Sequence, residues 1–109
     1  MRILRFLVDG QKIDKNPECD FTNLIPGTKG YIQAEFEFSE EWDRCEKVAQ
    51  FSSGNIEYEP QIINNQNYCK IPEAVLARPS FMVKVYGAKS GEYTIVTNKI
   101  AITQDGGSI

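Results

Sequence analysis

Apolar and polar residues alternate with a period of two along most of this chain, which marks half-buried β-strands rather than helices. The clearest run is 31–38. There Ile32, Ala34, Phe36 and Phe38 fall on one face, and Tyr31, Gln33, Glu35 and Glu37 on the other. That alternation predicts an antiparallel strand with one wet face. Residues 46–52 continue it, with Lys47, Ala49 and Phe51 set against Val48 and Gln50. Residues 81–86 put Phe81, Val83 and Val85 on a common face. Ile3 to Val8 is rich in strand formers and runs into Asp9-Gly10, a dipeptide suited to a tight hairpin, with residues 11–13 as the short return.

Turn signals divide the remainder. Residues 15–30 hold Asn16-Pro17, Pro26-Gly27 and Gly30 and read as a long loop, with Phe21, Leu24 and Ile25 available to pin it. Residues 56–59 and 61–64 are short strand pieces broken by Pro60. A polar turn at 64–67 leads to a strand over 68–71. Pro72 then opens one or two helical turns reaching Leu76. Residues 87–91 read as a turn, and strands follow at 93–96 and 98–103. Eight to ten short strands at near-regular spacing predict an all-β chain. The expected architecture is an antiparallel β-sandwich of about eight strands with one or two short helical turns. It forms a single domain over residues 1–103, with a flexible tail over 104–109.

Composition narrows the function classes. At 109 residues, with 41% hydrophobic and 25% charged positions, the chain suits one globular domain able to fold without staples. Net charge is −3 and the 12 basic residues are scattered, which disfavours binding to nucleic acid. The opening MRILRFLVDG has too few apolar residues for a secretory core or a membrane span, so synthesis in a cytoplasm and no membrane insertion are expected. Cys19, Cys45 and Cys69 lie far apart and histidine is absent. No zinc-type spacing exists, and neither a metal nor a cofactor is expected.

Catalytic equipment is scarce. Without histidine, a nucleophilic serine or cysteine would need another base. Glu35 with Glu37, and Glu57 with Glu59, sit two apart on single strands. A glycosidase needs its carboxylates facing each other across a cleft, so these pairs read as solvated charges and no enzyme is expected. Tyr31, Tyr58, Tyr68, Tyr86 and Tyr93 lie in or beside predicted strands and form the candidate interaction surface. Such rings can stack on sugars or build a protein interface, or simply stabilise a sheet as cross-strand pairs.

The stretch FSEEWDRCEKVAQF holds the only tryptophan. Ser39 is placed to accept an N–H as the cap of a single helical turn, with Glu40 and Glu41 at its positive end. Trp42, four residues after Phe38, can fold back on the apolar face and anchor a corner between strands, its indole N–H requiring a partner.

These residues resemble small β-sandwich domains of phages that infect Gram-positive bacteria. In those domains an F-x-F-S-x-x-W-D segment, here Phe36 to Asp43, is followed by K-x-A-x-F, here Lys47 to Phe51. A C-x-I-P stretch (Cys69 to Pro72) and a leucine (Leu76) come next. An F-x-V-x-V-Y-G strand (Phe81 to Gly87) and a T-N-x-I strand (Thr97 to Ile100) complete the order. The type is the scaffold or shoulder domain of receptor-binding and baseplate proteins, with related domains in head-fibre proteins. The resemblance implies a non-enzymatic structural or accessory module. Its partners would be phage tail or baseplate proteins, homo-oligomerisation stays open, and it would be made in the host cytoplasm and carried in the virion or used in its assembly. Receptor-binding proteins of that type continue into a trimerising neck and a carbohydrate-binding head, which the matched segment lacks, so no saccharide-binding residue carries over. A small module binding host cell-wall carbohydrate through exposed tyrosines is the alternative.

Overall fold

The structure, a computed structural model, describes residues 1–104. Ten strands form in chain order: β1 (Arg2–Asp9), β2 (Lys12–Lys15), β3 (Ile32–Phe38), β4 (Glu46–Ser53), β5 (Ile56–Glu57), β6 (Gln61–Ile62), β7 (Tyr68–Lys70), β8 (Ser80–Lys89), β9 (Tyr93–Val96) and β10 (Ile100–Thr103). A 3-10 turn (Glu40–Trp42) and one short helix, α1 (Glu73–Leu76), complete the set. The first sheet has the order β2-β1-β3-β7. The second has β10-β8-β4-β5, with β6 also paired to β4 and β9 to β8. The all-β sandwich expected from the alternation is the architecture observed.

The alternating apolar positions meet between the sheets. Leu4, Phe6, Val8, Ala34 and Phe36 of the first sheet face Ala49, Phe51, Phe81, Val83, Val85 and Ile102 of the second, all buried. An aromatic file threads this core: Phe21, Phe6, Phe36, Phe38 and Trp42 follow one another at ring-centroid separations of 5.5, 5.4, 5.8 and 5.2 Å. Each such pair adds about 0.5–1.5 kcal/mol beyond its buried area. Trp42 is fully buried, and its indole donates to the Gly10 carbonyl at 2.8 Å. The hairpin turn at Gly10, where φ is +57°, is thereby tied to the β3–β4 corner.

Several local expectations change. β3 pairs antiparallel with β7 but parallel with β1, in a register that sets Phe6 beside Phe36. The chain between Asp9 and Ile32 is long enough for the crossover a parallel pair needs. Gly87, expected in a turn, lies inside β8 and continues the inner face of Phe81, Val83 and Val85. A Cβ there would sit 2.6 Å from Trp42 Cζ3, so glycine serves close packing rather than a turn. Ser39 does not cap its own turn; its Oγ accepts the Gly10 N–H at 2.9 Å, a second link across the corner. Leu24 and Phe21 pin the long loop, whereas Ile25 is exposed. Gln104, placed in the tail by its sequence, is buried. Its side-chain amide donates to the carbonyls of Leu76 and Arg78 at 2.9 and 2.7 Å. The rest of the expected tail, residues 105–109, lies outside the described residues.

Candidate interaction surface

The five tyrosines occupy separate parts of the molecule. Tyr31 is exposed in the loop before β3. Tyr58 packs against the core edge, its backbone pairing with Phe51 and with the Gln50 side chain. Tyr93 donates its hydroxyl to the Glu41 carbonyl at 2.5 Å, closing over the Trp42 corner. Tyr68 and Tyr86 point outward from opposite sheets, as the registers Tyr68↔Glu35 and Tyr86↔Val48 require.

The outer face of the first sheet carries charged residues, two pairs of them in contact, around the half-buried Ile3 and Leu7. Arg5 Nε and Glu35 Oε1 lie 2.7 Å apart on neighbouring strands. The Tyr68 hydroxyl, and then Arg5, hold the Glu35 carboxyl below the ordinary carboxylate range, and the same bond raises the Tyr68 phenol. Lys12 and Asp14 approach to 3.4 Å on β2. Glu35 and Glu37 therefore belong to one sheet face, with Glu35 already committed to Arg5 and Tyr68. The cysteines are free thiols, and burial pushes Cys69 up to about 12, so it packs as an apolar group.

On each edge strand of the first sheet, an asparagine occupies the outward backbone groups of one residue. Asn98 follows β9, and its side chain reads the backbone of Ile13 on β2: Oδ1 accepts the Ile13 N–H at 2.9 Å and Nδ2 donates to the Ile13 carbonyl at 3.4 Å. At the opposite edge Asn64, beyond β6, accepts the Tyr68 N–H on Oδ1 at 3.0 Å, and its own N–H donates to the Tyr68 carbonyl at 2.9 Å. Both asparagines come from chain leaving the second sheet, so they also stitch the layers together. A strand edge whose outward groups are taken cannot template another strand there.

The outer face of the second sheet is built differently. The registers Val48↔Ile62, Val48↔Tyr86 and Tyr86↔Val96 place four apolar side chains side by side across β6, β4, β8 and β9. Ile62 is 79% exposed, and Val48, Tyr86 and Val96 are half-buried. Met82, Ala88 and Ala101 extend the apolar surface. Among the paired strand residues that point outward here, the charged ones are Glu46 and Lys84 beside the row and Glu57 at a far corner, and Arg44 borders the row just before β4. A groove of about 1000 Å³ takes in one side of the row itself, lined by Val48, Ile62 and Tyr86 together with Arg44, Glu46 and Thr94 among others.

Compared with known proteins, the chain matches no family model, no curated protein and no solved structure. Its functional reading therefore rests on the geometry of these faces. Sequence reasoning singled out Tyr86 but not Ile62, Val48 or Val96. Only Val48 left a signal, in the alternation of β4, where it stands opposite Ala49 and Phe51; its alignment with Ile62 and Val96 comes from the register.

Proposed function

We propose that this chain is a non-enzymatic β-sandwich interaction module of a bacteriophage, joining a tail or baseplate component or serving its assembly. It is made in the host cytoplasm and acts on phage structural proteins. The observation that carries the interaction reading is the row Ile62–Val48–Tyr86–Val96, an apolar band on a charge-poor sheet face. Scattered apolar residues are normal on a surface, but a contiguous band rimmed by polar groups marks a surface that another protein covers. Support for the phage setting comes from the resembling motifs. Among the residues of those motifs, Phe36, Trp42, Ala49, Phe51, Cys69, Phe81, Val83 and Val85 are buried in this chain.

The carbohydrate alternative needs an open aromatic platform. Lys84 Nζ sits 5.0 Å from the Tyr86 ring centroid and already covers one face, and the other tyrosines stand on separate surfaces. Protein docking fits the row better. Purified virions and tail-assembly intermediates probed with an antibody to this protein test the proposal. Signal in either is expected; its absence from both would remove the phage structural role.

A further inference from the structure

Resting on the reading of the second sheet's outer face as a docking surface, we propose that its occupant is a second copy of this chain, stacked face to face about a twofold axis. The face is self-complementary. β4 and β8 run antiparallel, with Glu46 opposite Ala88 and Gln50 opposite Lys84. Glu46 therefore lies on one side of the row Ile62–Val48–Tyr86–Val96, and Lys84 lies on the other. A twofold axis laid along the row sets each apolar residue against its own counterpart and exchanges the two sides. Glu46 of one copy then approaches Lys84 of the other, one strand over, and the pair forms twice. Such an isologous contact needs no second kind of surface and closes at two copies.

Size fits a weak contact. The outward positions are Ile62 on β6, residues 46, 48, 50 and 52 on β4, alternate residues from Ser80 to Ala88 on β8, and Thr94 and Val96 on β9. At about 33 Å² each they span roughly 400 Å² per copy, about 800 Å² in all, the size of a transient, concentration-dependent association. Aligned sheets packed about 10 Å apart are an ordinary β geometry. Pairing through an edge of the first sheet is blocked at Ile13 and Tyr68, whose backbone groups Asn98 and Asn64 occupy.

Sedimentation velocity on the full chain, from low micromolar to several hundred micromolar, tests this directly. A concentration-dependent dimer is expected. Ile62→Glu should raise its dissociation constant at least about tenfold, since two carboxylates would meet on the axis. Its circular dichroism should not change, because the Ile62 side chain is already solvent-exposed. Glu46→Lys and Lys84→Glu should each weaken the dimer, and the double swap should restore it. A monomer at every concentration, a dimer indifferent to Ile62→Glu, or a double swap no better than either single change would overturn the proposal. Should the chain be monomeric while Ile62→Glu still abolishes association with virions or assembly intermediates, the docking reading survives and the second copy does not.

Discussion

The two sheets share one core and present opposite surfaces. The first sheet turns Arg5, Asp9, Lys12, Asp14, Glu35, Glu37 and Lys70 outward around the half-buried Ile3 and Leu7, pairs Arg5 with Glu35 across strands and Lys12 with Asp14 along β2, and has an asparagine at Ile13 and Tyr68 on its two edges. The second turns out Ile62, Val48, Tyr86, Val96 and Met82 with few charges between them. Both faces come from the same period-two alternation, so burial of the inner face does not explain the difference. The outward residues are free to be charged, as the first sheet demonstrates. A face that stays apolar under that freedom fits the docking role proposed for it.

The comparison yields predictions that separate what holds the sandwich together from what it docks with. The largest effect belongs to Trp42→Ala, which should cost about 3–5 kcal/mol in urea unfolding through the cavity it leaves, with the Gly10 carbonyl losing its donor besides. A stable, well-folded variant that has lost only a partner would move the functional site to the corner. Gly87→Ala should cost about 1–3 kcal/mol by overpacking against the indole. That cost should shrink in a Trp42→Phe background, a coupling that a double-mutant cycle measures. Asn98→Ala and Asn64→Ala should each cost about 1–3 kcal/mol and speed hydrogen exchange at Ile13 and Tyr68 respectively. Unchanged exchange would show that the edges are not closed by these side chains.

Tyr68→Phe should have the smallest effect, and pH reveals it. Glu35 has a folded pKa below its ordinary 4.5, so its stabilisation is present above that value and is lost as pH falls through the lowered one. Removing the Tyr68 hydroxyl should move the Glu35 pKa upward in a carboxyl NMR titration and shrink the stability lost on acidification. No movement would mean that Arg5 alone sets the carboxyl.

Much of this was legible in the chain because alternation encodes which side of a strand faces inward. Ile32, Ala34, Phe36 and Phe38 were readable as one face, and Trp42 as a corner anchor. The parallel β1–β3 pair was not, since a period of two is the same for parallel and antiparallel neighbours and no turn joins them. Gly87 was misread because a glycine under an indole and a glycine in a turn look alike in sequence. The asparagine plugs were invisible for a related reason. Asn64 and Asn98 carry turn composition, and their partners lie on strands far away in the chain. The apolar row required the register of four strands, which no single strand's pattern contains. The tyrosines were individually visible, but only the fold could show that Tyr86 alone joins that row.

The most direct test of the central claim, that the second sheet's outer face is the one this protein closes, is a dilution series followed by backbone amide NMR. The account predicts concentration-dependent shifts at Ile62, Val48, Tyr86 and Val96, with Gln33, Glu35 and Glu37 on the opposite face unmoved. Shifts confined to the first sheet's outer face, or none across the series, would contradict it.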